Sequence, residues 1–167
     1  MIDYLPLVLT GIGIIVSILY YANVLRNTDK TRKMQILFSI QKDRAQSGGI
    51  LRYVNVMNMD WKDFDDFNQK YGFERNPETF AEWYSFLTQF DDYGYMLKQG
   101  MIELEFLYEV NFPSIVKLWY KFKPVFIDRR SQEANSEREM FWFEYVAVEL
   151  EKFAESKGIF LDYSKQT

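Results

Sequence analysis

Residues 4–25 read YLPLVLTGIGIIVSILYYANVL, 22 positions without a charged side chain between Asp3 and Arg26. Twelve of them are large aliphatics, from Leu5 to Leu25. As a helix the run would measure about 33 Å, against a bilayer hydrocarbon core of about 30 Å. At roughly 0.3–0.6 kcal/mol each, twelve such residues favour insertion by about 5 kcal/mol. Pro6, Gly11, Gly13, Ser17 and Asn23 take back part of that. Pro6 falls in the first turn, where its missing N–H is harmless. Tyr4 at one end and Tyr20 and Tyr21 near the other stand where the aromatic belts of a membrane span lie. We read residues 1–25 as a tip and one transmembrane helix. A cleaved signal peptide would show a basic start and a small-residue cleavage site. A buried core helix would be shorter and polar along one side.

No basic residue precedes the run, whereas Arg26, Lys30, Arg32, Lys33, Lys42 and Arg44 follow it. Positive flanks stay inside, so the expected topology is single-pass in the cell membrane, N-terminus outside and C-terminal domain cytoplasmic. Arg26, Lys30, Arg32 and Lys33 are candidates for lipid headgroup contact, at about 1 kcal/mol each close to an anionic surface. Gly13 and Ser17 form a small-xxx-small pair, candidates for packing on another membrane helix. From Ile14 to Gln46 there is neither Gly nor Pro. The helix is therefore predicted to continue as a basic juxtamembrane stalk over residues 26–46 and to stop at Ser47-Gly48-Gly49.

About 140 residues remain, enough for one compact domain. With 48% hydrophobic and 19% aromatic residues the chain is too apolar for a disordered tail. It contains no cysteine and no histidine. That excludes disulfides, Cys/His zinc sites, thiol nucleophiles and histidine acid–base catalysis. No Gly-rich phosphate loop appears, because Gly48-Gly49 is not followed by a Lys-Ser/Thr pair. The expectation is a protein that is not an enzyme, with no catalytic residue, no cofactor and no metal. Basic residues beyond the stalk are scattered, which argues against a nucleic-acid surface.

Helical signals run the length of residues 47–158, read as an all-α bundle, with 159–167 as a C-terminal tail. Ile50 to Met59 reads as a short helix, with Leu51, Val54 and Met57 or Asn58 along its apolar side. Asp60 is the expected cap of a helix from Trp61 to Tyr71. Asn76-Pro77-Glu78 opens the most amphipathic segment, through Phe80, Trp83, Leu87, Phe90 and Gly94 to Gly100. Gly94 in mid-helix predicts a close helix crossing. Met101 to Tyr108 fits helix or strand, and helix is preferred because a lone strand would lack a partner. Asn111-Phe112-Pro113 is expected to open a further helix, kinked or split at Pro124. Ser136-Glu137-Arg138-Glu139 reads as a capping box before the last helix.

Two acidic groups could carry chemistry. Asp60, Asp63, Asp65 and Asp66 lack the order of a calcium loop, and helix capping explains them better. The second group is Asp91-Asp92 with Glu103 and Glu105 beyond the Gly100 turn; Asp91 falls near the inner face of an aromatic helix, so Arg129 or Arg130 is expected to pair with it. The last helix is apolar around nearly its whole circumference. Met140, Phe141, Trp142 and Tyr145 are therefore candidate partner-binding residues.

The span near residue 5, Val24-Leu25-Arg26-Asn27, Lys30-Thr31-Arg32, Phe90…Gly94…Gly100-Met101-Ile102 and Trp119…Arg129 together resemble a loose set of uncharacterised archaeal and bacterial single-span membrane proteins with a cytoplasmic helical domain of unknown function. The resemblance implies an anchored helical domain and carries over no catalytic or ligand residues. The functional expectation is a membrane-anchored cytoplasmic protein-interaction module. The alternative is an accessory single-span subunit of a larger membrane complex, an enzyme or transporter. Its expected partners are the lipid bilayer and another protein, a second copy of the chain (a homo-oligomer) included, and not nucleic acid.

Overall fold

The structure is a computed structural model that describes residues 4–46, 48–132 and 136–160. Among them it has six α-helices and no strand. The chain divides into two compact units after Gly48.

The first unit is one helix, α1 (Leu5–Gln46), of 42 residues, about 63 Å long at 1.5 Å per residue. Its apolar stretch, within Leu5–Ile36, contains no buried residue and is long and apolar enough to cross a membrane. Leu7 is 72% exposed and Ile18 62%. Each serine and threonine hydroxyl along this stretch returns to its own helix. Thr10 donates to the Pro6 carbonyl at 2.8 Å, Ser17 to Gly13 at 2.8 Å, and Thr28 to Val24 at 2.9 Å. A rod whose serine and threonine hydroxyls are satisfied internally suits a medium that offers no hydrogen bonds.

The second unit contains α2 (Gly49–Met57), α3 (Phe64–Tyr71), α4 (Pro77–Lys98), α5 (Leu104–Gln132) and α6 (Phe141–Ser156). Helix α4 packs chiefly on α6, α5 on α6, α2 on α4, and α3 on both α4 and α5. The core is aromatic. Trp83 stacks on Phe122 with ring centroids 5.7 Å apart, Trp119 on Phe126 at 6.1 Å, and Phe90 on Phe143 at 5.4 Å. The Trp83 indole N–H donates to the Tyr71 carbonyl at 3.0 Å, which satisfies the one polar atom that this side chain takes inside.

Several local expectations need correction. Helix α2 turns Val56 inward, while Ile50 and Leu51 are 75% and 64% exposed and Val54 is also outside. Its apolar residues form one broad arc opposite Arg52 and Asn55, and only the Val56 edge of that arc is buried. Helix α3 is capped by Asp63, not Asp60. Asp63 accepts from the Asp66 N–H at 2.9 Å, and Asp66 in turn accepts from the Lys62 N–H at 3.0 Å. The reason is Trp61, whose ring lies 5.0 Å from Phe67 and 5.2 Å from Phe122. Reaching that core keeps residues 60–62 out of helix. The Lys121 ammonium supports the same segment, donating to the Met59 carbonyl at 2.7 Å beneath the Trp61 ring.

Asn76 precedes α4 as expected, yet its side chain points the other way. It donates to the carbonyls of Gln69 and Lys70 at 3.0 and 2.9 Å, serving the end of α3. Gly100, at φ +66°, ends the turn after α4. Helix α5 is one 29-residue helix that holds both Pro113 and Pro124, rather than two helices. Each proline removes one backbone bond. Burial of Phe112, Ile115, Val116, Trp119, Phe122 and Phe126 across both sites outweighs that loss. The part of the tail beyond Phe160 lies outside the described residues.

Candidate functional site

The crossing of α4 and α6 is where the unusual chemistry of the bundle gathers. A methyl group placed on Gly94 would collide with the carbonyl of Trp142, so the two helices touch backbone to backbone there. Glycine at 94 permits that approach, as the sequence predicts. Three residues upstream, Asp91 addresses the start of α6. One of its oxygens accepts from the N–H groups of both Trp142 and Phe143, at 2.8 Å each. This replaces the expected ion pair of Asp91 with Arg129 or Arg130. Burial pushes the Asp91 carboxyl above its usual range, against the downward pull of those two N–H groups.

The Ser136–Glu139 capping box does not form. The Ser136 backbone carbonyl, not its hydroxyl, accepts from the Glu139 N–H at 2.9 Å in a turn, Met140 takes a left-handed conformation at φ 52°, and the helix begins at Phe141. Its N-terminal donors are met by Asp91 instead. Glu139 is thereby released to Arg129, which holds both carboxylate oxygens at 3.0 and 2.8 Å. Arg130 donates to the Glu139 carbonyl at 2.8 Å and to Glu144 at 2.6 Å. Tyr84 is half-buried beside Glu139, and that burial, with the neighbouring carboxylate, pushes its hydroxyl pKa up to about 12. These charges link α4, α5 and the entry to α6, and each has a structural partner.

The four candidate partner-binding residues separate here. Met140 is 4% exposed and belongs to the core, because the left-handed turn at this position directs it inward. Phe141 is 42% exposed, and Trp142 and Tyr145 are partly buried. Tyr95 of α4, 47% exposed, joins them with its ring 5.8 Å from Trp142. Tyr95 is not among the residues predicted from the sequence. Its signal was there: it is an aromatic lying off the inward stripe of α4. The result is a continuous aromatic strip over the helix crossing.

The other candidates do not converge. In α1, a methyl group on Gly13 would meet open space, and the Ser17 hydroxyl is bonded within the helix. Arg26, Lys30, Arg32 and Lys33 are exposed on the same helix. Asp92 and Glu103 are exposed, and Glu105 lies 3.6 Å from Lys157. Among the described residues no three acidic side chains gather as a metal site would require. A cleft of about 340 Å³ between α2 and the α3–α4 region is lined by Arg52, Asn55, Tyr71, Glu82 and Trp83 among others.

A comparison with protein-family models matches residues 7–150 to a domain of unknown function, DUF4760. No curated protein and no solved structure matches the chain. The match spans α1 and most of the bundle, and the chain belongs to this DUF4760 family.

Proposed function

We propose that this DUF4760 member is a single-span, membrane-anchored protein-interaction module without enzymatic activity. The bundle that follows the span is cytoplasmic in this reading, because the basic residues after Leu25 favour the inner side. The relation to archaeal and bacterial single-span proteins belongs to the same proposal. The observation that carries it is the pairing of α1, an exposed apolar rod, with an aromatic strip on the folded unit. Tyr and Trp held rigidly at a surface are the side chains that dominate protein–protein binding energy. Lack of His and Cys removes the commonest catalytic groups. Extraction from native membranes followed by native mass analysis tests the reading. A specific protein partner, or a second copy, should travel with the chain. A strictly monomeric protein that recovers nothing would overturn it.

A second reading is an accessory subunit of a larger membrane complex. Gly13 and the internally bonded Ser17 present a small, flat surface on α1 to which another span could pack. Replacing both with Leu should release the chain from such a complex while leaving it in the membrane fraction.

A further inference from the structure

The aromatic strip ends in a cation on either side. The Lys98 ammonium lies 5.5 Å from the Tyr145 ring, and the Arg138 guanidinium 5.5 Å from the Phe141 ring. Between them Phe141 meets Trp142 at 5.0 Å, and Trp142 meets Tyr145 at 6.0 Å. Among the described residues neither Lys98 nor Arg138 meets a carboxylate. Arg129, Arg130, Lys152 and Lys157, elsewhere on the bundle, all do. Both unpaired cations are exposed. A surface with apolar rings at its centre and an unneutralised cation at each end is complementary to apolar side chains bracketed by carboxylates.

We infer that the strip, taken as the interaction surface proposed above, binds a short amphipathic segment of a partner protein that carries carboxylates at both ends. Net charge favours a narrow occupant over a broad one. Residues 49–167 hold 14 basic and 21 acidic side chains. An anionic bilayer laid against so acidic a unit is repelled over the whole contact, whereas a short segment touches the strip alone. Asp92, one turn before Tyr95 on α4, disfavours a carboxylate at the middle of the strip and so directs the acids of the segment to its ends.

The test uses the full chain in nanodiscs of zwitterionic lipid and three labelled helical peptides of about 14 residues, roughly four turns. One carries a leucine face bracketed by glutamates. The second replaces the glutamates with lysines, and the third replaces the leucines with serines. Fluorescence anisotropy should show the glutamate–leucine peptide binding at least about tenfold more tightly than either control. In the double variant Lys98→Glu and Arg138→Glu, both at exposed positions, the preference should invert to the lysine peptide, with the circular dichroism unchanged. Equal binding of the two leucine peptides, a preference that survives charge reversal, or no binding at all overturns the charge-bracketed segment. The interaction-module reading is then judged separately by native co-purification. Loss of peptide binding in nanodiscs containing phosphatidylserine would assign the strip to anionic lipid and would also overturn the proposal.

Discussion

Helices α1 and α6 are both apolar around most of their circumference, and they meet that condition in opposite ways. Helix α6 buries Phe143, Val146, Ala147, Leu150 and Ala154 against its neighbours. Helix α1 buries nothing along its apolar stretch. An all-round apolar helix requires a non-aqueous environment, and its sequence does not say whether protein or lipid supplies it. Length separates the two cases. The 16 residues of α6 would reach only about 24 Å, and Glu144, Glu149 and Glu151 interrupt them. The uncharged run of α1 is long enough to cross, and its Thr10 and Ser17 hydroxyls bond within the helix.

Placing charge in the middle of α1 should change the protein most. In the double variant Ile14→Lys and Ile18→Lys, each charge near the middle of the span costs about 3 kcal/mol, enough to cancel the whole insertion energy. The native chain should sediment with membranes in ultracentrifugation without detergent, and the variant should move to the supernatant. A native chain already in the supernatant would remove lipid from the account of α1.

The core offers the next largest effect. Phe122 is fully buried and stacked on Trp83, so Phe122→Ala should destabilise the bundle by about 3–5 kcal/mol in denaturant titration, with no change in membrane sedimentation. Gly94→Val addresses the crossing itself. The obstructing atoms are backbone of Trp142, which cannot rotate away, so a loss of about 3 kcal/mol is expected. No loss would mean that α4 and α6 do not approach as closely as described.

The smallest effect sharpens the view of how α6 begins. Asp91→Ala leaves two N–H groups without their acceptor and should cost about 1–2 kcal/mol at neutral pH. Asp91→Asn keeps an oxygen acceptor and should retain most of the stability. The two carboxamide and carboxylate forms differ in pH response. The raised pKa means that the folded state holds the Asp91 proton more tightly than the unfolded state. Asp91 therefore adds stability as pH falls from neutral through that raised pKa, and the asparagine variant lacks this gain. Urea midpoints of both proteins between neutral and mildly acidic pH measure the difference.

Much of the fold was legible because its signals are local. The uncharged run of α1, Asn76-Pro77 before α4 and Gly100 after it each act within a few residues. Gly94 also announced the crossing, since an exposed glycine in that position would only weaken the helix. The failures share a cause. Asp60 and Ser136 each had the right residue type for a cap, and each lost to a contact distant in sequence: Trp61 reaching Phe122, and Asp91 reaching Trp142 and Phe143. Pro113 was expected to open a new helix and Pro124 to kink or split it, and burial distributed over the whole length of α5 keeps both inside one helix. The candidate strip was half visible. Phe141, Trp142 and Tyr145 follow from α6 alone, whereas Tyr95 enters only once α4 lies across it, and Met140 leaves because one backbone angle turns it inward.

The bond from Asp91 to α6 has a consequence for biosynthesis. The acceptor is 51 and 52 residues upstream of the two donors it serves. When those donors emerge from the ribosome, α4 has already been made and α6 has no cap of its own. The two N–H groups that open α6 thus find their acceptor only on a finished α4, and a nascent chain stalled before residue 141 would display the surface of α4 that α6 later closes.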